Sequence, residues 1–298
     1  MTTALEDRVK ASLTRALDPA VRAFAARLAE SANALGVMFY GSNLRTGSLE
    51  GVLDFYVLLP GQLERGLWPR VSYHEWSDGG EVVRAKVATM NLTTFRTAAA
   101  GETLDTTIWA RFVQPSALAW ARDEDQAKAI AAAVATAVST AARFAAALGP
   151  ERGTEEEFWR ALFRATYRAE FRVEKTGRED DILGLNPGHF DGLLPAALEA
   201  AGVACDRDGE RLAPKLAPAQ RAALLRAWTL RARLGKPYNV VRLVRASTTF
   251  AGAARYAAWK IERHTGIPVK LSPWKERHPV LAAPGVLWQV WRARRAAG

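Results

Sequence analysis

The residues best suited to chemistry lie near the start of the chain, in the stretch GVMFYGSNLRTGSLEGVLDFYVLL, Gly36 to Leu59. A glycine and a small hydroxyl residue, Gly41 and Ser42, close the first apolar run. Such a pair leaves little side chain in the way, so backbone N–H groups can approach phosphate oxygens closely. Twelve residues after Ser42 a single carboxylate, Asp54, is set into the second apolar run. A carboxylate there can hold a Mg²⁺ ion that bridges phosphates at the loop. Positions i and i+2 of a strand share a face, and the residue two positions on from Asp54 is a tyrosine, Tyr56, where a metal site raises the question of a second acid. One aspartate in a strand also suits a plain hydrogen bond to a turn. These residues alone leave both readings open.

The elements that must position them follow from apolar spacing. Leu5, Val9, Leu13, Leu17, Val21, Phe24 and Leu28 recur at helical intervals over 4–32, with Pro19 kinking the segment or starting a second helix. Strand patterns follow at 36–40, 52–59, 69–74 and 81–91. Short helices near 92–100 and 105–113 lead to a polar break, ARDEDQ. Beyond it the chain reads as helical almost throughout. Thr154 with Glu157 three positions on makes a capping box. Helices are expected near 188–201, 218–234, 238–245, 250–265 and 284–296. Pro187-Gly188, Gly235-Lys236-Pro237 and Gly266 separate them. The pattern predicts an α+β protein: a mixed sheet with N-terminal helices over 1–123, then a mainly helical domain over 124–298.

A length of 298 residues suits two domains. The alanine-rich run AKAIAAAVATAVSTAARFAAALG is interrupted by Lys128 and Arg143, and predicts a packed amphipathic helix in preference to a membrane span. A single cysteine, Cys205, rules out a disulfide framework or a cysteine metal site. The four histidines are scattered, with no pair at ligand spacing on one helix. The N-terminus lacks the apolar region of a signal peptide, and Glu6 and Asp7 do not suit a transit peptide, so an intracellular protein is expected. Abundant Ala and Arg suggest a GC-rich bacterial genome. A net charge of +10 attracts polyanions: nucleic acid, nucleotide phosphates or anionic headgroups. Near the C-terminus Trp274, Trp288 and Trp291 interleave with Lys260, Arg263, Lys270, Lys275, Arg277, Arg292, Arg294 and Arg295. Tryptophans among cations suit a membrane–water interface, and equally suit a helix with its tryptophans packed inward.

The Gly-Ser…Asp pattern resembles the nucleotidyltransferase fold of polymerase-β-like enzymes. The order YGSN…VLDFYVLL, VRAKVATMNL, WARFVQP and EEEFWRALFRATYRAEFRVEKTGREDDILGLNPGHF resembles one family within it. These are the mitochondrial-type phosphatidate cytidylyltransferases, also described as translocator assembly and maintenance proteins. Their pattern runs YGSG, an MLDF-type strand, an IKYG-like strand, a GRLHKP-like segment and an LSY-x-GDFR-like segment followed by an ED-containing loop. RASTTFAGAARYAAWKIERHTG resembles their closing helix, which carries small residues, a tyrosine and a lysine. The resemblance covers about residues 35 to 265, and the order of the pieces carries it more than any one of them.

The resemblance implies CTP:phosphatidate cytidylyltransferase activity, forming CDP-diacylglycerol and pyrophosphate with Mg²⁺ as cofactor. It implies Asp54 and Glu170 as catalytic metal ligands and Lys86 as a catalytic cation. Tyr40, Gly41, Ser42, Asn43 and Arg111 would bind nucleotide. A lysine among apolar strand residues is costly unless its ammonium faces a charge, which suits Lys86 as a triphosphate contact. Glu170 stands where the family has aspartate, Asn43 where glycine is common, and Gln114 where it has lysine. Tyr73 and His74 fall near the site, with His74 read as structural; Glu179, Asp180 and Asp181 are read as a solvated loop. CTP, phosphatidate and an anionic membrane surface are the implied partners, with no nucleic acid, on the cytoplasmic face of a bacterial membrane. Two other readings stay open. One is nucleotidyl transfer to RNA, a protein or a small alcohol; the other is a relative that binds nucleotide or lipid without chemistry.

Overall fold

A computed structural model of the chain describes residues 3–66, 70–78, 81–169, 178–249, 252–269 and 271–277, together with 282, 284–285, 288 and 292. Glu170, Lys270, Trp291, Arg294 and Arg295 lie outside the described residues, as does most of the helix expected over 284–296.

Two helices lead. α1 (Ala4–Leu13) opens on a reciprocal cap in which Thr3 and Glu6 each accept the other's backbone N–H. α2 (Pro19–Ala32) begins at Pro19 after an Asp18 cap, so the proline starts a second helix. Then come β1 (Gly36–Tyr40), the short α3 (Ser42–Thr46), β2 (Leu53–Leu59), β3 (Arg70–Asp78) and β4 (Glu81–Asn91). α4 (Leu92–Ala99), α5 (Thr107–Phe112), β5 (Ser116–Ala121) and α6 (Glu124–Leu148) follow. The remainder is α7 (Glu155–Ala169), α8 (Arg178–Gly184), α9 (Pro187–Phe190), α10 (Leu193–Ala200), β6 (Cys205–Asp208), β7 (Arg211–Pro214), α11 (Pro218–Thr249), α12 (Ala253–Thr265) and α13 (Pro273–Arg277).

The main sheet has five strands in the order β3-β4-β2-β1-β5. It is mixed: β2 pairs with β4 in parallel and every other pair is antiparallel. Alternation along the strands divides the apolar residues between two faces. Val37, Phe39, Leu53, Phe55, Val57, Val83, Ala85 and Val87 turn one way and pack on Val21, Phe24, Ala25 and Leu28 of α2. Met38, Tyr40, Tyr56, Leu58, Ala88 and Met90 turn the other way, towards α4, α5 and α6. This second core continues through Phe158, Trp159 and Leu162 of α7 to Leu194 and Leu198 of α10, so residues on both sides of position 123 share it.

α6 carries that continuity. Asp123 caps it by accepting the Gln126 N–H at 2.8 Å, and its buried alanines let α4, α5, α7 and α10 approach closely. Its length and composition would also suit a membrane crossing, but 67% of its apolar window is buried inside the protein. It packs as a core helix. Thr154 and Glu157 form the expected reciprocal cap ahead of α7, at 2.7 and 3.3 Å.

Several elements differ from the sequence pattern. β6 and β7 form an antiparallel hairpin in a region read as helical almost throughout, closing over Gly209 at a φ of +58°. β5 falls where a polar break was expected to follow α5 directly; its alanine-rich run SALAWA is a strand because it completes the edge of β1. α8 occupies the segment read as a solvated loop, and Asp180 there pairs with Arg160 of α7 at 2.7 Å. α11 runs unbroken through Gly235-Lys236-Pro237, where two helices were expected. Gly235 marks a helix crossing, since a Cβ there would meet the Ala169 backbone of α7. Pro237 lies on the exposed side, where water can serve the carbonyl it leaves unbonded.

Candidate functional site

Strand register places four residues in one row across the sheet. Tyr40 of β1 is opposite Asp54 of β2, Asp54 is beside Lys86 of β4, and Lys86 is opposite Tyr73 of β3. Directly paired residues share a face, so all four point to the side covered by α5 and α12. The row ends the apolar second face: Tyr56 and Leu58, further along β2, are fully buried, whereas Asp54 sits at its margin.

Gly41 brings the backbone onto the Asp54 carboxylate. Its φ of +93° belongs to glycine, and a Cβ would lie 2.9 Å from Asp54 Oδ2. Ser42 is exposed at the start of α3, its hydroxyl 3.4 Å from Asn43 Oδ1. Asn43, expected to bind nucleotide, has a different task for its side chain. Nδ2 donates to the carbonyls of Ser48 and Glu50, both at 2.8 Å, which staples the loop that returns to β2. Only its main chain remains for a ligand.

Arg111 reaches the row from α5. Its guanidinium lies 5.0 Å from the Tyr40 ring centre and 5.9 Å from that of Tyr56, with Nη1 3.5 Å from the Tyr56 hydroxyl. Tyr56, at the position where a second acid belongs, therefore helps seat a cation and supplies no metal ligand. Gln114 does not join the site. Its amide donates to Ala110 O at 2.9 Å and it lines a separate cavity beside α1.

α12 supplies residues that the sequence reading left out of the site. Tyr256 packs 5.5 Å from the Tyr73 ring, and Lys260 Nζ lies 6.0 Å from the Tyr256 ring centre. Arg263 and Arg84 both lie over the Trp259 ring, at 5.3 and 5.8 Å, beside a cleft of about 430 Å³ lined also by Glu50 and Gly51. Lys260 and Arg263, grouped by sequence with the C-terminal basic segment, thus face the sheet. Gly252 makes this docking possible: its φ is +80°, and a Cβ would meet the Tyr73 carbonyl at 2.8 Å. The resemblance of this helix to a closing helix with a tyrosine and a lysine was the signal that could have placed Tyr256 and Lys260.

The charges at the row influence one another. Burial raises the Asp54 carboxyl above its ordinary range, against the opposing pull of Lys86 and Arg111. Burial lowers the Lys86 ammonium; Asp54 supports its charge while Arg111 and Lys260 oppose it. Tyr40 and Tyr56 are held protonated, chiefly by burial. One carboxylate therefore faces two cations, Lys86 and Arg111, with Lys260 acting on Lys86, and the partly dry setting gains from an anionic ligand. His74 points to the opposite face, where it is exposed and bonds Ser72 at 2.8 Å.

Among the described residues no three His, Cys, Asp or Glu side chains converge on a metal position. Glu170, the other expected ligand, lies outside them. The donor set suits an ion that arrives on a polyphosphate, because Mg²⁺ commonly takes one or two carboxylates and completes its shell with phosphates and water.

Gly41→Ala tests the closeness of loop and carboxylate. The new methyl would displace Asp54 and strain the backbone by about 1–3 kcal/mol. Displacement of this order is expected to weaken binding of a Mg²⁺-bound polyphosphate roughly tenfold with the fold retained; unchanged affinity with an unchanged melting temperature would show that the close approach has no role.

Compared with known proteins, the chain matches no family model and no curated protein.

Proposed function

We propose that the chain is a nucleotidyltransferase that uses CTP and phosphatidate to form CDP-diacylglycerol and pyrophosphate. The observation that carries the reading is the Asp54–Lys86 pair, adjacent in register, with Gly41 against the carboxylate and Arg111 across from it. A polymerase-β-like nucleotidyltransferase fold is part of the same proposal, as are the sequence motifs that resemble the cytidylyltransferase family.

The phosphatidate phosphate oxygen attacks the α-phosphorus of CTP; the bond to the bridging oxygen of the β-phosphate breaks, and pyrophosphate leaves with its electron pair. Lys86, Lys260 and Arg111 donate to phosphate oxygens, where charge develops on the leaving group, in a setting that excludes much of the water. Asp54 keeps Lys86 charged and orients it. A Mg²⁺ ion held by Asp54 and the phosphates would offset negative charge at the reacting centre. Gly41 and the exposed Ser42 leave room for the polyphosphate beside β1. No side chain needs to act as nucleophile, since such catalysis is mainly positioning and electrostatics.

The acceptor is proposed to be a lipid because basic charge and exposed tryptophan occur together near the C-terminus. Trp274 and Trp288 are 55% and 57% exposed, and Arg292 lies 4.8 Å from the Trp288 ring centre. Such groups suit the anionic surface of a membrane, in keeping with a protein acting from its cytoplasmic face.

The test combines purified chain, Mg²⁺, each of the four ribonucleoside triphosphates and vesicles containing phosphatidate. CDP-diacylglycerol from CTP is the expected product. Absence of product together with no pyrophosphate release from any nucleotide would leave a binding protein only. Release of pyrophosphate with RNA, protein or a small alcohol as acceptor would keep the reaction and replace the lipid. Lys86→Met is expected to lower kcat/KM for CTP by roughly 100-fold or more, by removing one charge from the phosphate path. A variant as active as the native chain would remove Lys86 from the mechanism.

A further inference from the structure

A second cavity lies on the far side of α5, between α1, the end of α5 and the α9–α10 turn. It holds about 320 Å³, and Arg8, Ser12, Arg15, Gln114 and His189 line its polar part. Asp54, Lys86 and Arg111 do not line it. Phe112 does, and its ring packs edge-on against Tyr56 with centres 5.4 Å apart, so one aromatic wall separates the two sites.

Neither Arg8 nor Arg15 forms an ion pair among the described residues. Glu155, near the α10 start, is engaged by the Gly192 and Leu194 N–H groups at 3.1 and 3.3 Å, and neither it nor Asp191 lines the cavity. Ser12 donates to Ser116 O at 3.1 Å and Gln114 to Ala110 O at 2.9 Å. The guanidinium groups thus remain as the donors available to a ligand. Gly192 makes room for one of them: its φ is +67°, and a Cβ there would lie 2.6 Å from Arg8 Nη2.

His189 is the third charged or chargeable group. Its Nε2 bonds the Val113 carbonyl at 2.8 Å, which assigns the proton to that nitrogen and leaves Nδ1 as an acceptor or, once protonated, a further donor. Burial holds the imidazole neutral; its bond to Val113 opposes that, and the positive fields of Arg15 and Arg8 reinforce it.

We propose that this cavity binds a small phosphoryl dianion, either inorganic phosphate or the phosphomonoester end of a larger molecule, between Arg8, Arg15 and His189. Two guanidinium groups match a dianion better than a carboxylate monoanion and can each offer paired N–H donors. The volume exceeds what bare phosphate fills, so a short organic substituent fits beside it. The proposal is independent of nucleotidyl transfer, and its test reads binding without turnover.

The full chain would be titrated separately with inorganic phosphate, dibutyryl phosphatidate and acetate, by calorimetry and by NMR of the His189 imidazole. Phosphate is expected to bind and to raise the pH at which His189 protonates, because a bound anion favours the imidazolium. Arg8→Gln and Arg15→Gln are each expected to weaken binding roughly tenfold, and together roughly 100-fold. Both residues are exposed, so unchanged melting temperatures are expected. Tighter binding of dibutyryl phosphatidate than of phosphate assigns the site to a headgroup; the reverse assigns it to the free anion. The proposal fails if acetate binds as tightly as both, or if the double variant keeps native affinity. A His189 titration unmoved at saturating phosphate would overturn it in the native chain, with no variant needed.

Discussion

Asp54→Asn is expected to cut nucleotidyl transfer at least 1,000-fold and, at neutral pH, to make the protein more stable. The first effect follows from the place of Asp54 in the row with Tyr40 and Lys86. Loss of its charge removes the support of the Lys86 ammonium and the carboxylate proposed to hold Mg²⁺, both aimed at charge in the reaction. The second effect follows from burial, which raises the Asp54 carboxyl above its ordinary range. A carboxyl raised in the fold holds its proton better there than in the unfolded chain. Its stabilising contribution is complete below the ordinary carboxylate range and is lost as pH rises through the folded value. Above the folded value the native aspartate is a buried charge, and the isosteric amide relieves it. A gain of about 1 kcal/mol, or about 2–4 °C in melting temperature, is the expected size. The gain should vanish below the ordinary carboxylate range, where both side chains are neutral. Thermal melts of both proteins from acid to neutral pH check the sign. A variant less stable than the native protein at neutral pH, and equal to it in acid, would mean that the ion pair outweighs burial.

Asp105→Ala is expected to cost about 3–5 kcal/mol, the largest stability loss predicted from the site's surroundings. Asp105 is 4% exposed and accepts three bonds from neighbouring groups. The Thr107 N–H lies at 2.9 Å, the Thr107 hydroxyl at 2.7 Å and Arg242 Nη1 at 3.2 Å. The first two set the entry to α5, and the third ties that entry to α11 across 137 positions of sequence. Removal leaves Arg242 partly buried against Tyr238 without its anion, and frees the helix that carries Arg111. Arg231 fastens the same contact one step away, donating to the Gly101 carbonyl and to Thr103 O at 2.8 Å. Activity should fall along with stability, because Arg111 depends on the placement of α5. A cycle with Arg242→Met separates the pair from the Thr107 bonds: the double variant is expected to recover part of the loss. A measured cost under 1 kcal/mol would show that Asp105 is not the anchor.

Much of this was readable from residue pattern. The four strands from β1 to β4 announce themselves by β-branched and aromatic runs, and the capping signals at Thr154 and Pro19 have local causes. Asp54, Lys86 and Arg111 were each singled out, and register and packing bring them together. The β6–β7 hairpin escaped although its Asp208-Gly209 turn is a local signal; the other misses had non-local causes. SALAWA is a strand only because β1 offers it an edge. Gly235 and Pro237 read as a break because nothing local tells of the α7 backbone lying against Gly235. The Asp105–Arg242 pair left no trace in sequence, since neither neighbourhood signals the other. Lys260 and Arg263 counted as part of a basic tail until the docking of α12 on β3 turned them to the sheet.

The parallel pairing of β2 with β4 has a consequence for the order in which the chain assembles. β1 with β2, and β3 with β4, are antiparallel neighbours in sequence as well as in space, so each pair closes over a short span. The β2–β4 seam joins the two pairs and must wait for both, because its partners are separated by the whole of β3. Asp54 and Lys86 sit on opposite sides of that seam. Neither half of the sheet carries the charged pair alone, and the site proposed to hold a polyphosphate is complete only when the halves meet. A ligand bound there would act as a clasp across the last closure, and amide exchange along Leu53–Leu59 should slow when it binds.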